Sequence, residues 1–79
     1  MFRTLVKTEA VAVEDRVFRV RYFEQRTVRG LRRYSAEILL DPSDRIILDD
    51  DSMMNLEART TRLVPATIYS RMLAKATAA

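Results

Sequence analysis

Apolar and polar positions alternate along the first half of the chain and then switch to a helical spacing. Residues 3–13, RTLVKTEAVAV, are rich in threonine and valine and read as a strand, closed by the polar pair Glu14-Asp15. In residues 16–28, Phe18, Val20 and Tyr22 fall on one strand face, and Arg19 and Arg21 fall on the other. In residues 32–40, Tyr34, Ala36, Ile38 and Leu40 alternate with Arg33, Ser35, Glu37 and Leu39. Gly30, the single glycine, stands between these two runs, where a hairpin turn needs a positive φ.

Parity restricts that turn. Residues facing each other across a hairpin have a constant sum of residue numbers, so Tyr22 and Ile38 share a face only if the sum is even. The loop then holds an odd number of residues, for instance Arg29-Gly30-Leu31, because a one-residue slip would turn a whole face over. Asp41-Pro42-Ser43-Asp44 reads as a turn, with proline fixing φ at its second position and aspartate oxygens in reach of backbone amides. Residues 45–48, RIIL, complete a meander.

The period changes after DDDS, residues 49–52. Asp51 or Ser52 is a good N-cap, and Met53, Leu56, Thr60 and Leu63 lie along one helical face. Pro65 is expected to break this helix or to open a second one over residues 65–76, with Ile68, Tyr69, Met72, Leu73 and Ala76 on a broad apolar face. The pattern predicts one α+β domain over residues 1–79. It is a three- to four-stranded antiparallel meander followed by one or two C-terminal helices packed on its apolar face. The expected core is Phe18, Val20, Tyr22, Tyr34, Ala36, Ile38, Leu40, Ile46, Leu48, Leu56, Leu63, Ile68, Met72 and Leu73. In the first strand Val11 and Val13 compete with Val6, Ala10 and Ala12 for the buried side, and the pattern leaves both open.

Composition narrows the function classes. The chain has 79 residues, and a domain of that size buries only roughly 60% of its unfolded surface, so its stability is marginal without a staple or a partner. There is no cysteine and no histidine, which excludes disulfides, Cys–His and Ser–His–acid catalysis, and zinc sites built on those ligands. One glycine cannot form a glycine-rich phosphate loop. Catalysis would rest on a carboxylate, lysine or tyrosine in a cleft, for which so short a chain has little room. The expectation is therefore a protein that is not an enzyme, with no catalytic residues, no cofactor and no small-molecule substrate identifiable from the residues. No apolar run has the length of a signal peptide or a membrane span, which points to a cytoplasmic protein with no membrane partner. Twelve arginines against two lysines point to a GC-rich bacterial genome.

The net charge of +3 is blocked along the chain: residues 1–33 sum to +5, residues 34–57 to −6 and residues 58–79 to +4. The alternation favours basic and acidic elements that neutralise each other in the fold. The acids Asp49, Asp50 and Asp51 could hold a hard cation, but they lack the spaced ligands and glycine of a calcium loop and read better as a helix start. Arg71 and Lys75 likewise read better as cations near a helix C-terminus than as an anion-binding pair.

Two candidate surfaces remain. On the odd-numbered sheet face Arg19, Arg21 and Arg33 could contact nucleic acid or another anion beside the aromatic Phe23. Glu37 falls on the same face, one diagonal from Arg21, and neutralises part of it. The apolar residues Val17, Phe23, Leu39 and Ile47 also lie on this second face, where a second copy could cover them. The sequence thus reads as a small protein-interaction or self-associating module, a homodimer or part of a complex. A weak nucleic-acid-binding domain is the alternative.

Overall fold

The computed structural model describes residues 3–77, with side chains through residue 76. Four strands and one helix follow in chain order: β1 (Arg3–Val13), β2 (Arg16–Arg26), β3 (Arg32–Asp41), β4 (Asp44–Asp50) and α1 (Met53–Thr77). The strands form one antiparallel sheet in the order β1-β2-β3-β4, and α1 packs on one face of it. This is the α+β meander that the alternation predicts. At 1.5 Å per residue α1 is about 37 Å long, close to the roughly 36 Å of an 11-residue strand. One helix therefore runs the length of the sheet but cannot cover its full width. Tyr34, Leu40 and Leu48 are accordingly only half-buried beside it.

The register follows from the turns. β2 and β3 pair with an even sum, Val20 with Ile38 and Tyr22 with Ala36. The loop Thr27–Leu31 between them is odd, as parity requires. Gly30 adopts φ 80° and its amide donates to the Thr27 carbonyl at 2.9 Å. The Thr27 amide donates to the Leu31 carbonyl, and the Leu31 amide donates to Thr27 Oγ1. These bonds close Val28-Arg29-Gly30 into a three-residue turn, one position earlier than expected, and β2 ends at Arg26 rather than at Val28.

The two other hairpins have two-residue turns and odd sums. Glu14-Asp15 joins β1 to β2, with Glu14 in a left-handed conformation at φ 57°. The odd sum pairs Val11 with Phe18 and Val13 with Arg16, which settles the open face of β1 in favour of Val11 and Val13. Beyond Lys7 a bulge at Val6 shifts the register, so Leu5 pairs with Phe23 and Arg3 with Gln25 on the opposite face. In the Pro42-Ser43 turn Asp41 Oδ1 accepts from the Ser43 amide at 2.8 Å, the bond expected of this turn. A bulge at Leu40 then restores an even sum, so Ile38 pairs with Ile46 and Ala36 with Leu48.

The core is Val13, Phe18, Val20, Tyr22, Ala36, Ile38, Ile46, Leu56, Val64 and Ile68. The helical half departs from expectation. Pro65 lies inside α1, which continues through it as a single helix. Proline removes only its own amide, and the lost acceptor, the Thr61 carbonyl, is on an exposed residue. Because the helix does not restart at Pro65, its buried stripe runs unbroken through Leu56, Thr60, Val64, Ile68 and Met72. This row of every fourth residue is inclined to the helix axis. Leu63 (39% exposed), Tyr69 and Leu73 therefore lie off the stripe instead of in the core, and Val64 takes the place assigned to Leu63. Ser52 caps the helix, its Oγ accepting the Asn55 amide at 3.3 Å. Arg71 pairs with Asp44 and Lys75 with Asp41, which hold the second half of α1 to the β3–β4 turn.

Chemical denaturation should separate the two leucines: Leu56→Ala should cost about 2–5 kcal/mol by leaving a hole, and Leu63→Ala well under half of that. Pro65→Ala should raise stability by about 1–3 kcal/mol by restoring the bond to the Thr61 carbonyl. A loss on Pro65→Ala would show that the ring packs better than the restored bond compensates.

Candidate functional surface on the outer sheet face

α1 leaves the other face of the sheet uncovered. The register places Arg3, Leu5, Ala10 and Ala12 of β1 there, with Val17, Arg19, Arg21 and Phe23 of β2. Arg33, Glu37 and Leu39 of β3 and Arg45, Ile47 and Asp49 of β4 complete it. Both candidate sets from the sequence thus occupy one surface, and the structure sorts them into distinct roles.

Glu37 is its organising residue. It is only 6% exposed although it sits on an open face, because arginines cover it. Arg3 Nη1 donates to Glu37 Oε2 at 3.0 Å and Arg21 Nη2 to Oε1 at 3.2 Å, while Arg45 Nη1 lies 3.8 Å away. Arg21 faces Glu37 directly across the β2–β3 ladder, not diagonally as the sequence suggested. The bond from Arg3 holds the Glu37 carboxyl below its ordinary value against a desolvation that would raise it. Arg3 owes its place to the bulge at Val6, since without that shift odd-numbered residues of β1 would stay on the helix side.

Phe23 differs from expectation. The sequence reading puts it near water as part of a self-association face, but it is 9% exposed. The Arg3 guanidinium lies 4.0 Å from its ring centroid and that of Arg21 5.6 Å away. The same two arginines that hold Glu37 therefore cover Phe23.

Of the three arginines expected to face an anion, Arg21 is engaged by Glu37 and Arg33 by Asp49 at 3.0 Å. Arg19 is exposed and has no ion pair among the described residues. The remaining apolar candidates are open: Val17 is 72% exposed, and Leu39 and Ile47 are each 56% exposed. Arg45 pairs with Leu39 and Ile47 with Glu37. Leu39 and Ile47 are thus diagonal neighbours, and Ala12 and Val17 pair directly, so these residues form an oblique apolar stripe toward one end of the face.

The acid run closes β4 and leads into α1. Asp50 Oδ1 accepts the Ser52 amide, Asp50 pairs with Arg59 of α1, and Asp49 pairs with Arg33. No group of three or more carboxylates is placed to hold a metal ion among the described residues. A cavity of about 30 Å³ lined by Arg16, Phe18, Leu40, Ile68, Arg71, Met72 and Lys75 has room for a water or two. No helix of the described residues is long and apolar enough to cross a membrane.

Sequence reasoning missed the set Arg26, Arg29 and Arg32 at the β2–β3 hairpin. The signal was present as four arginines within RTVRGLRR, residues 26–33. The cluster straddles a turn, so the alternation of strand faces does not bring it together.

Acid should destabilise the protein through these carboxylates. A group whose folded value lies below its unfolded one contributes stability that is complete above the unfolded value and is lost as pH falls through the folded value. Glu37 is lowered from 4.5, and Asp41, beside Lys75 and the Ser43 amide, is held down at about 2. Urea midpoints should therefore fall between about pH 4.5 and pH 2. At neutral pH Glu37→Gln should cost about 1.5–3 kcal/mol, the worth of hydrogen bonds to a charged group. The gap from wild type should narrow as pH falls, and a gap independent of pH would show that the arginine cluster contributes nothing through charge.

No protein-family model, curated protein or solved structure matches the chain.

Proposed function

We propose that the chain is a non-catalytic, self-associating interaction module in which a second copy covers the apolar stripe Ala12, Val17, Leu39 and Ile47. The observation that supports this is a surplus of surface. A compact monomer of 9.2 kDa exposes about 4,900 Å², whereas this chain exposes 5729 Å². The difference, about 800 Å², is what one partner buries in a standard-size interface. The radius of gyration agrees, at 13.9 Å against about 11.6 Å for a compact domain of this length. The molecule is a two-layer slab of 47 × 23 × 15 Å, and a third layer from a second sheet would complete it.

A two-fold arrangement suits the stripe because an isologous contact needs only a self-complementary patch. The flanking arginines would stand at its rim. The alternative reading, nucleic acid on Arg19, Arg21 and Arg33, has less support on this face, since two of the three are already neutralised.

Sedimentation equilibrium tests the proposal. The expected result is a dimer at micromolar concentration, and a monomer for the double variant Leu39→Lys, Ile47→Lys with an unchanged circular dichroism spectrum. A wild-type monomer at several hundred micromolar, or a dimer untouched by the double variant, would overturn it.

A further inference from the structure

The apolar stripe of the outer face carries uncompensated charge in its middle. Val20 pairs with Ile38, so Arg19 stands beside Leu39 on the outer side, and Arg45 of β4 pairs with Leu39 from the other edge. Leu39 thus lies between two arginines whose Cα atoms are two strand spacings apart, about 10 Å. Neither has a carboxylate to itself. Arg19 is exposed and has no ion pair among the described residues. Arg45 is exposed too, and its Nη1 lies 3.8 Å from Glu37 Oε1, beyond hydrogen-bond length. Glu37 is already taken by Arg3 and Arg21, which donate to its two oxygens. The guanidinium groups of Arg3, Arg19, Arg21 and Arg45 therefore have the single Glu37 carboxylate among them, a net +3 within the group.

A second copy turns this charge into an obstacle that a free face does not meet. Two sheets stacked face to face lie about 10 Å apart, and their two-fold axis runs in the plane between them. An axis along the strands through Leu39 puts Arg19 opposite Arg45 of the second copy, and Arg45 opposite its Arg19. An axis along the rung puts Arg19 opposite Arg19 and Arg45 opposite Arg45. An axis along the oblique stripe lays each apolar residue on its own equivalent, and it too turns Arg19 toward the second copy's Arg45. In every case guanidinium meets guanidinium twice, once on each side of the paired Leu39 side chains. Repulsion there is strong, because the closing sheets exclude water.

We infer that the dimer holds two small divalent oxyanions, of the sulfate or phosphate class, each clamped between two of these arginines, a site that exists only if the copies meet face to face as proposed above. The guanidinium fork offers paired N–H donors that match two oxygens of a tetrahedral oxyanion, so an anion with four oxygens can take one fork from each copy. Chloride presents no such pair of acceptors. One doubly charged anion cancels the two guanidinium charges beside it, and the repulsion becomes an attraction across the interface. The anion is a free one, because it is enclosed between the two sheets. A phosphate that belongs to a nucleic-acid strand or a lipid would need the face open and would compete with the second copy. The site thus couples assembly to the supply of a free oxyanion.

Sedimentation equilibrium at constant ionic strength, with sodium sulfate replacing sodium chloride, tests this. About 20 mM sulfate, acting on two sites with a Kd on the order of 10 mM, should tighten the dimer about tenfold. The double variant Arg19→Ser, Arg45→Ser, with an unchanged circular dichroism spectrum, should dimerise more tightly than wild type in chloride and should not respond to sulfate. Arg62→Ser, an exposed helix arginine, should respond as wild type does. Sulfate also strengthens apolar burial in general, and that effect would persist in the double variant, so a retained response there would overturn the inference. A wild-type dimer equally tight in both salts would overturn it and leave the proposed dimer standing. So would a dimer tightened by a short oligonucleotide but not by sulfate. A monomer in both salts at several hundred micromolar would overturn the inference and the proposed dimer together.

Discussion

The even-sum register between β2 and β3 is the constraint on which the rest of the molecule depends. It is imposed by an odd-numbered turn that only Gly30, at φ 80°, closes without strain. With that register Phe18, Val20 and Tyr22 share a face with Ala36 and Ile38, and α1 has an apolar surface to cover. A slip of one residue would put Glu37 under the helix and Ile38 in water. The outer hairpins then adapt to this central pair. Each has a two-residue turn with an odd sum, and each carries one bulge beyond which the sum is even. The bulge at Leu40 brings Ile46 and Leu48 into line with the core and leaves Asp41 within reach of Lys75. The bulge at Val6 sends Arg3 to the outer face, where it can reach Glu37. Packing and electrostatics thus follow from three turns.

Charge is distributed by the same geometry. The block of acids in residues 34–57 looked self-defeating in one dimension, with seven acids against one base. In the fold Glu37 and Asp49 meet arginines of the sheet, and cations of α1 come to meet Asp41, Asp44 and Asp50. Arg59 takes Asp50, Arg71 takes Asp44, and Lys75 takes Asp41, while Lys7 of β1 bridges Glu9 and Glu57. These exposed pairs contribute little each, but together they fix where the helix lies along the sheet.

Much of this was legible because it rests on local rules. Alternation identified four strands, the DPSD turn and Gly30 marked two of the hairpins, and DDDS marked the helix start. The elements that escaped are those in which a distant contact overrides a local preference. Pro65 is a helix breaker by propensity, yet the stripe on either side of it packs against one sheet, and tertiary packing outweighs one missing hydrogen bond. Leu63 was assigned to the core by its spacing from Leu56 and Thr60, and Leu73 by a phase that restarted at Pro65; the continuous helix buries every fourth residue and selects Val64 instead. Phe23 was expected to be wet by parity, and it is covered only because the Val6 bulge delivers Arg3 from another strand. Neither bulge leaves a mark in the sequence that alternation alone could read. At the candidate surface the face assignment of Arg19, Arg21 and Arg33 was accessible, but their separation into paired and unpaired required the positions of Glu37 and Asp49.

An open four-stranded sheet must also avoid joining to others at its edges, and here the protections are unequal. β1, a long edge strand, is broken by the bulge at Val6 and carries Lys7 and Glu9 inward, on the helix side. β4 is short, seven residues, with aspartate at both ends. Edge-to-edge addition, which would generate open-ended polymers, is therefore discouraged at both sides. The outer face has no such device along Val17, Leu39 and Ile47, whose only guards are arginines beside the stripe. A long guanidinium side chain can lie flat over apolar surface or swing to its rim, so it tolerates both a free and a covered face. With its edges blocked and its face left open, face-to-face closure is the geometry that the proposed dimer would take.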